Sequence, residues 1–152
     1  MRNSKGITIV ALIITIIVTL ILVRFVVHYG TQEIDKAKIE DLKATMLLIK
    51  GRAQIAVDKD AFGEEYDKTG MLTYADATEY TANIPAGLSS KLTDTSNLYI
   101  WTQDAMDNNG IDIEITKDDF FIIDYGTLEI YSSVGYTVDG VTNYSLSELQ
   151  AL

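Results

Sequence analysis

Ile7-Thr8-Ile9-Val10-Ala11-Leu12-Ile13-Ile14-Thr15-Ile16-Ile17-Val18-Thr19-Leu20-Ile21-Leu22-Val23 is a run without a charge, interrupted only by threonines. Arg24 follows it, and Phe25-Val26-Val27 prolongs the apolar character. As a helix rising about 1.5 Å per residue, residues 7–27 would extend roughly 31 Å, close to one hydrocarbon core. Arg24 would then fall near the outer edge, where its long stem lets the guanidinium reach headgroups. Phe25 and Tyr29 would sit where interfacial aromatics collect. The run therefore predicts a membrane-spanning segment. A cleaved secretory signal is the rival, but it needs small residues at paired spacing just beyond the apolar stretch. Arg24-Phe25-Val26-Val27-His28-Tyr29-Gly30 offers none. Arg2 and Lys5 precede the run while Arg24, Lys36, Lys38 and Lys43 follow it, so the Lys/Arg rule leaves orientation open. The leader is too short to fold, which places the bulk of the chain on the far side.

The whole chain has 152 residues, 12 Lys plus Arg and 22 Asp plus Glu, for a formal charge of −10. That balance gives no basic stripe to meet phosphates, so no direct nucleic-acid contact is expected. There is no Cys, which excludes disulfides, thiolate metal sites and cysteine catalysis. His28 is the one histidine and lies at the expected membrane edge, an interfacial position. No Walker loop, Gly-x-Gly-x-x-Gly or Gly-x-Ser-x-Gly occurs, and an enzyme is not expected. The charge is segregated along the chain. Residues 1–34 carry net +2, residues 35–59 net +2, and residues 60–152 net −14. The acidity belongs to the C-terminal part, as suits a solvated, outward-facing exterior.

Beyond the apolar run, Ile39, Leu42, Met46, Ile49, Ala53 and Ala56 advance by threes and fours, the signature of one buried helical stripe. No Pro interrupts the chain before Pro85, and Gly30 and Gly51 are the weak points. A single helix over residues 7–58 follows, with a second, amphipathic half over 28–58. Its stripe needs a partner, and the remainder of the chain supplies strand patterns at 98–101, 120–124 and 127–131. A tight hairpin is expected at Gly126, and a further strand at 134–138 turning at Asp139-Gly140. Thr102 is placed to cap a short helix over 103–109, ended by Gly110. Residues 59–97 are polar and read as a loop-rich connector with a short helix near 74–80. The fold class expected is α+β, a long N-terminal helix packed on a small antiparallel sheet.

Several clusters carry candidate chemistry. Ala11, Thr15 and Thr19 recur at i, i+4 and i+8, a small-residue stripe that lets helices approach closely in lipid. The alternative is that each Thr hydroxyl bonds back to the preceding turn. Asp104, Asp107, Asn109 and Asp112, with Glu114, Asp118 and Asp119 nearby, form the one grouping able to supply oxygens to calcium. The run 107–112 lacks alternating ligands and a closing bidentate Glu, which favours acids that keep a helix end and strand edges soluble. Tyr66, Tyr74 and Tyr80 fall in the connector, either as intersubunit anchors or as ordinary half-buried residues.

Lys5-Gly6-Ile7-Thr8-Ile9-Val10-Ala11-Leu12, with the later Leu42-Lys43-Ala44-Thr45-Met46-Leu47-Leu48-Ile49-Lys50, resembles the N-termini of type IV prepilins and type II secretion or competence pseudopilins, in a Gram-positive, Clostridium-type form. The resemblance implies a leader, residues 1–6, cut by a prepilin peptidase between Gly6 and Ile7, with N-methylation of Ile7. It implies a transmembrane half over 7–27, a stem over 28–58 and an extracytoplasmic head over 59–152. The subunit would be a single-pass membrane protein before assembly and part of a cell-surface filament afterwards. Its partners would be other copies, minor pilins, an assembly platform with its ATPase, and membrane lipid. Family members commonly carry Glu five residues into the mature chain, and here that position is Ala11. The alternative is a non-assembling, membrane-anchored surface or sensor module.

Overall fold

A computed structural model describes the backbone of residues 4–152 and the side chains of residues 9–24 and 36–152. The expectations placed on the Gly6–Ile7 junction, Phe25, His28 and Tyr29 lie outside the described side chains. The chain divides into two compact units, residues 1–40 and 41–152. One helix, α1 (Ser4–Ala61), runs through both, three residues further than the expected end at 58.

In the second unit, β1 (Met71–Thr73), β2 (Leu98–Trp101), β3 (Phe121–Asp124), β4 (Glu129–Val138) and β5 (Val141–Ser145) form one sheet in sequence order, each pairing antiparallel with the next. Four short helices lie between or after the strands: α2 (Thr78–Thr81), α3 (Ala86–Ser89), α4 (Gln103–Asn108) and α5 (Leu146–Gln150). The class is α+β, as expected.

Strand alternation sorts the sheet residues onto two faces. Trp101, Phe121, Ile123 and Ile130 pack with Met46, Ile49 and Ala53 of α1, with Met106 of α4, and with Leu146 and Leu149 of α5. Of the stripe expected on α1, Met46, Ile49, Ala53 and Ala56 are buried, while Ile39 and Leu42 are only partly so. Met46 and Ile49 have no exposed surface, and each such side chain contributes about 1.5–3 kcal/mol through burial. The opposite face carries Leu98, Ile100 and Ile122, which pack with Ala77, Leu88 and Leu92.

That second face corrects the reading of residues 59–97. A sheet with apolar residues on both sides needs two covers, and α1 supplies only one. The connector is the other: β1 extends the sheet, and α2 and α3 bring Ala77 and Leu88 onto it. The expected helix at 74–80 is displaced to Thr78–Thr81, and Pro85 occupies the N-cap position of α3.

Three further differences have local causes. The strands expected at 127–131 and 134–138 are one ten-residue strand, β4, whose pairing with β5 shifts register between Tyr131 and Tyr136. Gly135 takes φ +65° at that irregularity, a bulge that bends the strand without ending it. The turn before β4 is set by Asp124, whose carboxylate accepts from the N–H of Gly126 at 2.8 Å and from the Thr127 hydroxyl at 2.8 Å, with Leu128 in the left-handed region at φ 56°. Thr102 has the extended backbone of an N-cap but makes no side-chain capping bond. The end of α4 follows expectation. Gly110 at φ +67° lets Ile111 N–H reach the Met106 carbonyl at 2.9 Å and Gly110 N–H reach that of Asp107 at 3.0 Å, while Ile111 and Met106 pack together in the core.

Candidate assembly surface

Among the described residues, α1 carries exposed apolar side chains in each of the two units. In the first unit, every large aliphatic side chain from Ile9 to Val23 is exposed, from 48% at Val18 to 65% at Leu20. The threonines in this stretch turn their polarity inward. Thr15 donates its hydroxyl to the Ala11 carbonyl at 2.8 Å, and Thr19 donates to the Thr15 carbonyl at 2.7 Å. The Ala11–Thr15–Thr19 stripe therefore offers small, hydrogen-bond-satisfied side chains, and any helix that packs on it does so by shape. Among the described residues no helix is long and apolar enough to cross a membrane. The described apolar stretch stops at Arg24, and residues 7–8 and 25–27, which the expected span needs, lie outside the described side chains.

In the second unit, α1 carries a stripe that sequence reading did not single out. Ala44, Leu48, Gly51 and Ile55 follow one another at four, three and four residues, the spacing of one helix face. All four are exposed, with Leu48 and Ile55 at 45% and Leu47 beside them at 47%. Apart from the adjoining residues and backbone of α1 itself, no atom lies within 4 Å of where a Gly51 side chain would begin. The signal was present in the sequence, but the stripe through Met46 and Ile49 shares this helix and dominates its periodicity. A helix apolar on two faces has one for its own domain and one for something else.

The acidic residues do not assemble into a cation site. Asp107 accepts from Gln103 at 2.9 Å, while Asn109 accepts the Tyr66 hydroxyl proton at 2.6 Å and donates to the Ala105 carbonyl at 2.7 Å. Asp104 and Asp112 are exposed. Both ends of the Asn109 amide are committed to holding the α4 terminus, and no group of three or more His, Asp or Glu side chains is placed to share an ion among the described residues. The calcium arrangement is thereby replaced by a helix-end bracket.

Residues 60–152 contain only three cations, and each is paired within this unit. Lys68 lies 4.0 Å from Asp60, Lys117 lies 2.8 Å from Glu79, and Lys91 contacts Glu148. The remaining excess of carboxylates faces solvent. Tyr74 and Tyr80 pack on the second core cluster, Tyr80 edge-on to Phe120 with ring centroids 5.3 Å apart, so these connector tyrosines are half-buried packing residues.

No family model matches the chain, and no curated protein and no solved structure matches it.

Proposed function

We propose that this chain is a structural subunit of a type IV pilus-like or type II secretion/competence-like surface filament, processed after Gly6 and built on the pilin plan. The observation that carries the reading is the exposed apolar surface of α1. Every large aliphatic from Ile9 to Val23 stands exposed, and a run of this kind needs cover from lipid or from protein. Each Leu or Ile taken out of water contributes about 1.5–3 kcal/mol, so leaving the run in water is strongly unfavourable. Membrane lipid covers it before assembly in this proposal, and the same helix of neighbouring copies covers it afterwards. The exposed stripe Ala44–Leu48–Gly51–Ile55 would supply a second contact, on the stem.

The proposed partners are a prepilin peptidase, other copies and minor pilins, and an assembly platform with its ATPase. The head would face outward, and the net −14 charge of residues 60–152 would oppose close packing of copies. Assembly is accordingly expected to strengthen as salt rises from low ionic strength. N-terminal mass analysis of protein from its native membrane tests the processing step, with Ile7 expected as the first residue. A protein still beginning at Met1 refutes it.

A second reading, a membrane-anchored module that does not polymerise, is favoured by Ala11. With no carboxylate at this position, an α-amine produced by cleavage before Ile7 would have no acidic partner there inside an apolar bundle, and burying an unpaired charge is costly. Electron microscopy of sheared surface material separates the two, since an anchor alone yields no filaments.

A further inference from the structure

The unit spanning residues 41–152 has a cleft of about 310 Å³ between the C-terminal part of α1 and the strands, lined by Tyr66, Tyr99 and Tyr125 with Asp60, Lys68 and Asn97. This volume is near the lower end of small-molecule sites, enough for roughly one or two six-membered rings. Two of these tyrosines have their hydroxyls engaged within the protein. The Tyr125 hydroxyl sits between the Trp101 indole N–H, at 3.1 Å, and the Met71 sulfur, at 3.9 Å. Tyr66 donates its hydroxyl to Asn109 at 2.6 Å. Tyr99 and Tyr125 meet edge to face at 87°, with centroids 5.1 Å apart. Ala56 and Val57 of α1 also line the cleft.

The polar groups have a different character. Asp60 accepts, Lys68 donates and Asn97 does both, and all three are exposed. Asp60 and Lys68 lie 4.0 Å apart and cancel in charge. A tyrosine-rich cleft edged by mixed donors and acceptors, its one cation paired with Asp60, matches a ligand that has an apolar C–H face and a rim of hydroxyls. We propose that this cleft is a binding site for a neutral pyranose sugar, as a free saccharide or as the end of a glycan. The site is independent of whether the chain polymerises, since all of its residues lie in one compact unit.

Trp101 is the only tryptophan and touches Tyr125, so its fluorescence reports on the cleft directly. The full chain, held in a sugar-free polyoxyethylene detergent, is titrated with methyl β-D-glucopyranoside, maltotriose and triacetylchitotriose. At least one is expected to give a saturable fluorescence change with a Kd of about 1 mM, typical of so small a contact. Tyr99→Ala is expected to weaken that binding at least about tenfold. Asn97→Ala and Lys68→Gln, both at exposed positions whose loss leaves the core intact, are each expected to weaken it about threefold to tenfold. The proposal is overturned if no saccharide gives a saturable response up to about 50 mM, or if neither Asn97→Ala nor Lys68→Gln changes the affinity. It is also overturned if tetramethylammonium binds instead and Lys68→Gln tightens it, which would mark an aromatic cage for cations.

Discussion

Trp101 donates its indole N–H to the hydroxyl of Tyr125 at 3.1 Å, tying β2 to the turn that follows β3. Trp101 has no exposed surface, so that hydroxyl is its replacement for water. Tyr125→Phe removes the acceptor and leaves a buried donor unpaired, with an expected loss of about 1–3 kcal/mol in urea unfolding. The same residue has a pH signature. Burial, with tyrosinate charge at Tyr66 and Tyr99 adding to it, pushes the Tyr125 hydroxyl up to about 12 against the bond from Trp101. A raised folded value means the contribution is complete below an ordinary tyrosine value near 10 and is lost as pH rises towards 12. Absorbance titration should show a tyrosine ionising at about 12 in the parent that is absent in Tyr125→Phe.

Acid should weaken the C-terminal end of the core through Glu148. This carboxylate closes a capping box on α5. Ser145 Oγ accepts from the Glu148 N–H at 3.2 Å, and the carboxylate accepts from the N–H groups of Ser145 and Tyr144 at 3.1 and 3.0 Å. Burial would raise its pKa, but the Lys91 ammonium and those backbone donors outweigh burial and bring it down to about 2. A lowered folded value contributes stability above the unfolded value of 4.5, lost as pH falls towards 2. The group is partly open to solvent, so the contribution is about 1–2 kcal/mol. Glu148→Gln should be less stable at pH 7 and should lose the slope in unfolding free energy between these limits, as measured by chemical denaturation across pH.

Gly135 should tolerate no side chain. At φ +65° a Cβ would lie 2.7 Å from the Asn143 carbonyl oxygen and 2.7 Å from the Tyr144 ring, and the first of these contacts is backbone that cannot swing aside. Gly135→Ala is expected to cost about 2 kcal/mol or more, seen as a lower urea midpoint. Val134→Ala next to it, at an exposed position, should stay within about 0.5 kcal/mol of the parent.

Two faces of one helix should separate folding from assembly. Ile49→Ala opens a cavity in a fully buried site and is expected to cost about 2–5 kcal/mol. Leu48→Ser with Ile55→Ser, on the exposed stripe, should leave denaturation of the head within about 0.5 kcal/mol per site yet reduce surface filaments seen by electron microscopy. Wild-type filament yield from this double variant would remove the stem contact from the proposal.

The legible parts of the fold are those where one physical demand dominates. Met46, Ile49 and Ala53 announce a buried helix face by spacing alone, and 98–101 and 120–124 announce strands by β-branched and aromatic density. Gly110 was readable as a helix stop because a left-handed residue is needed there. Leu128 does the same service at φ 56° and was not readable, since nothing in a leucine marks the left-handed region. β1 escaped notice because three residues are too few to show alternation. Its existence follows only from the sheet edge it joins. The helix α5 is encoded in Ser145-Leu146-Ser147-Glu148, a capping-box spacing ahead of Leu149, but its five residues are too few to show helical periodicity. For the assembly surface, the Ala11–Thr15–Thr19 stripe was visible. The Ala44–Ile55 stripe became evident only once burial had shown which face of α1 the sheet leaves uncovered. The tyrosine cleft joins residues from 56 to 125, and no local pattern encodes that meeting.

The core cluster around Trp101 takes Met46 and Ile49 from α1 and Leu146 and Leu149 from α5. The two ends of this unit therefore meet in one core cluster on one face of the sheet. During synthesis at about 5–20 residues per second, the α1 stripe emerges roughly 5–20 seconds before the residues that complete its pocket. Over that interval a helix with Met46, Ile49 and Ala53 uncovered is an amphipathic ribbon, suited to lying on a bilayer surface or in a chaperone groove. The head thus becomes independent of such a holder only when translation has reached Leu149, and a ribosome stalled after β4 would leave a chain with most of its sheet and an unsealed helix.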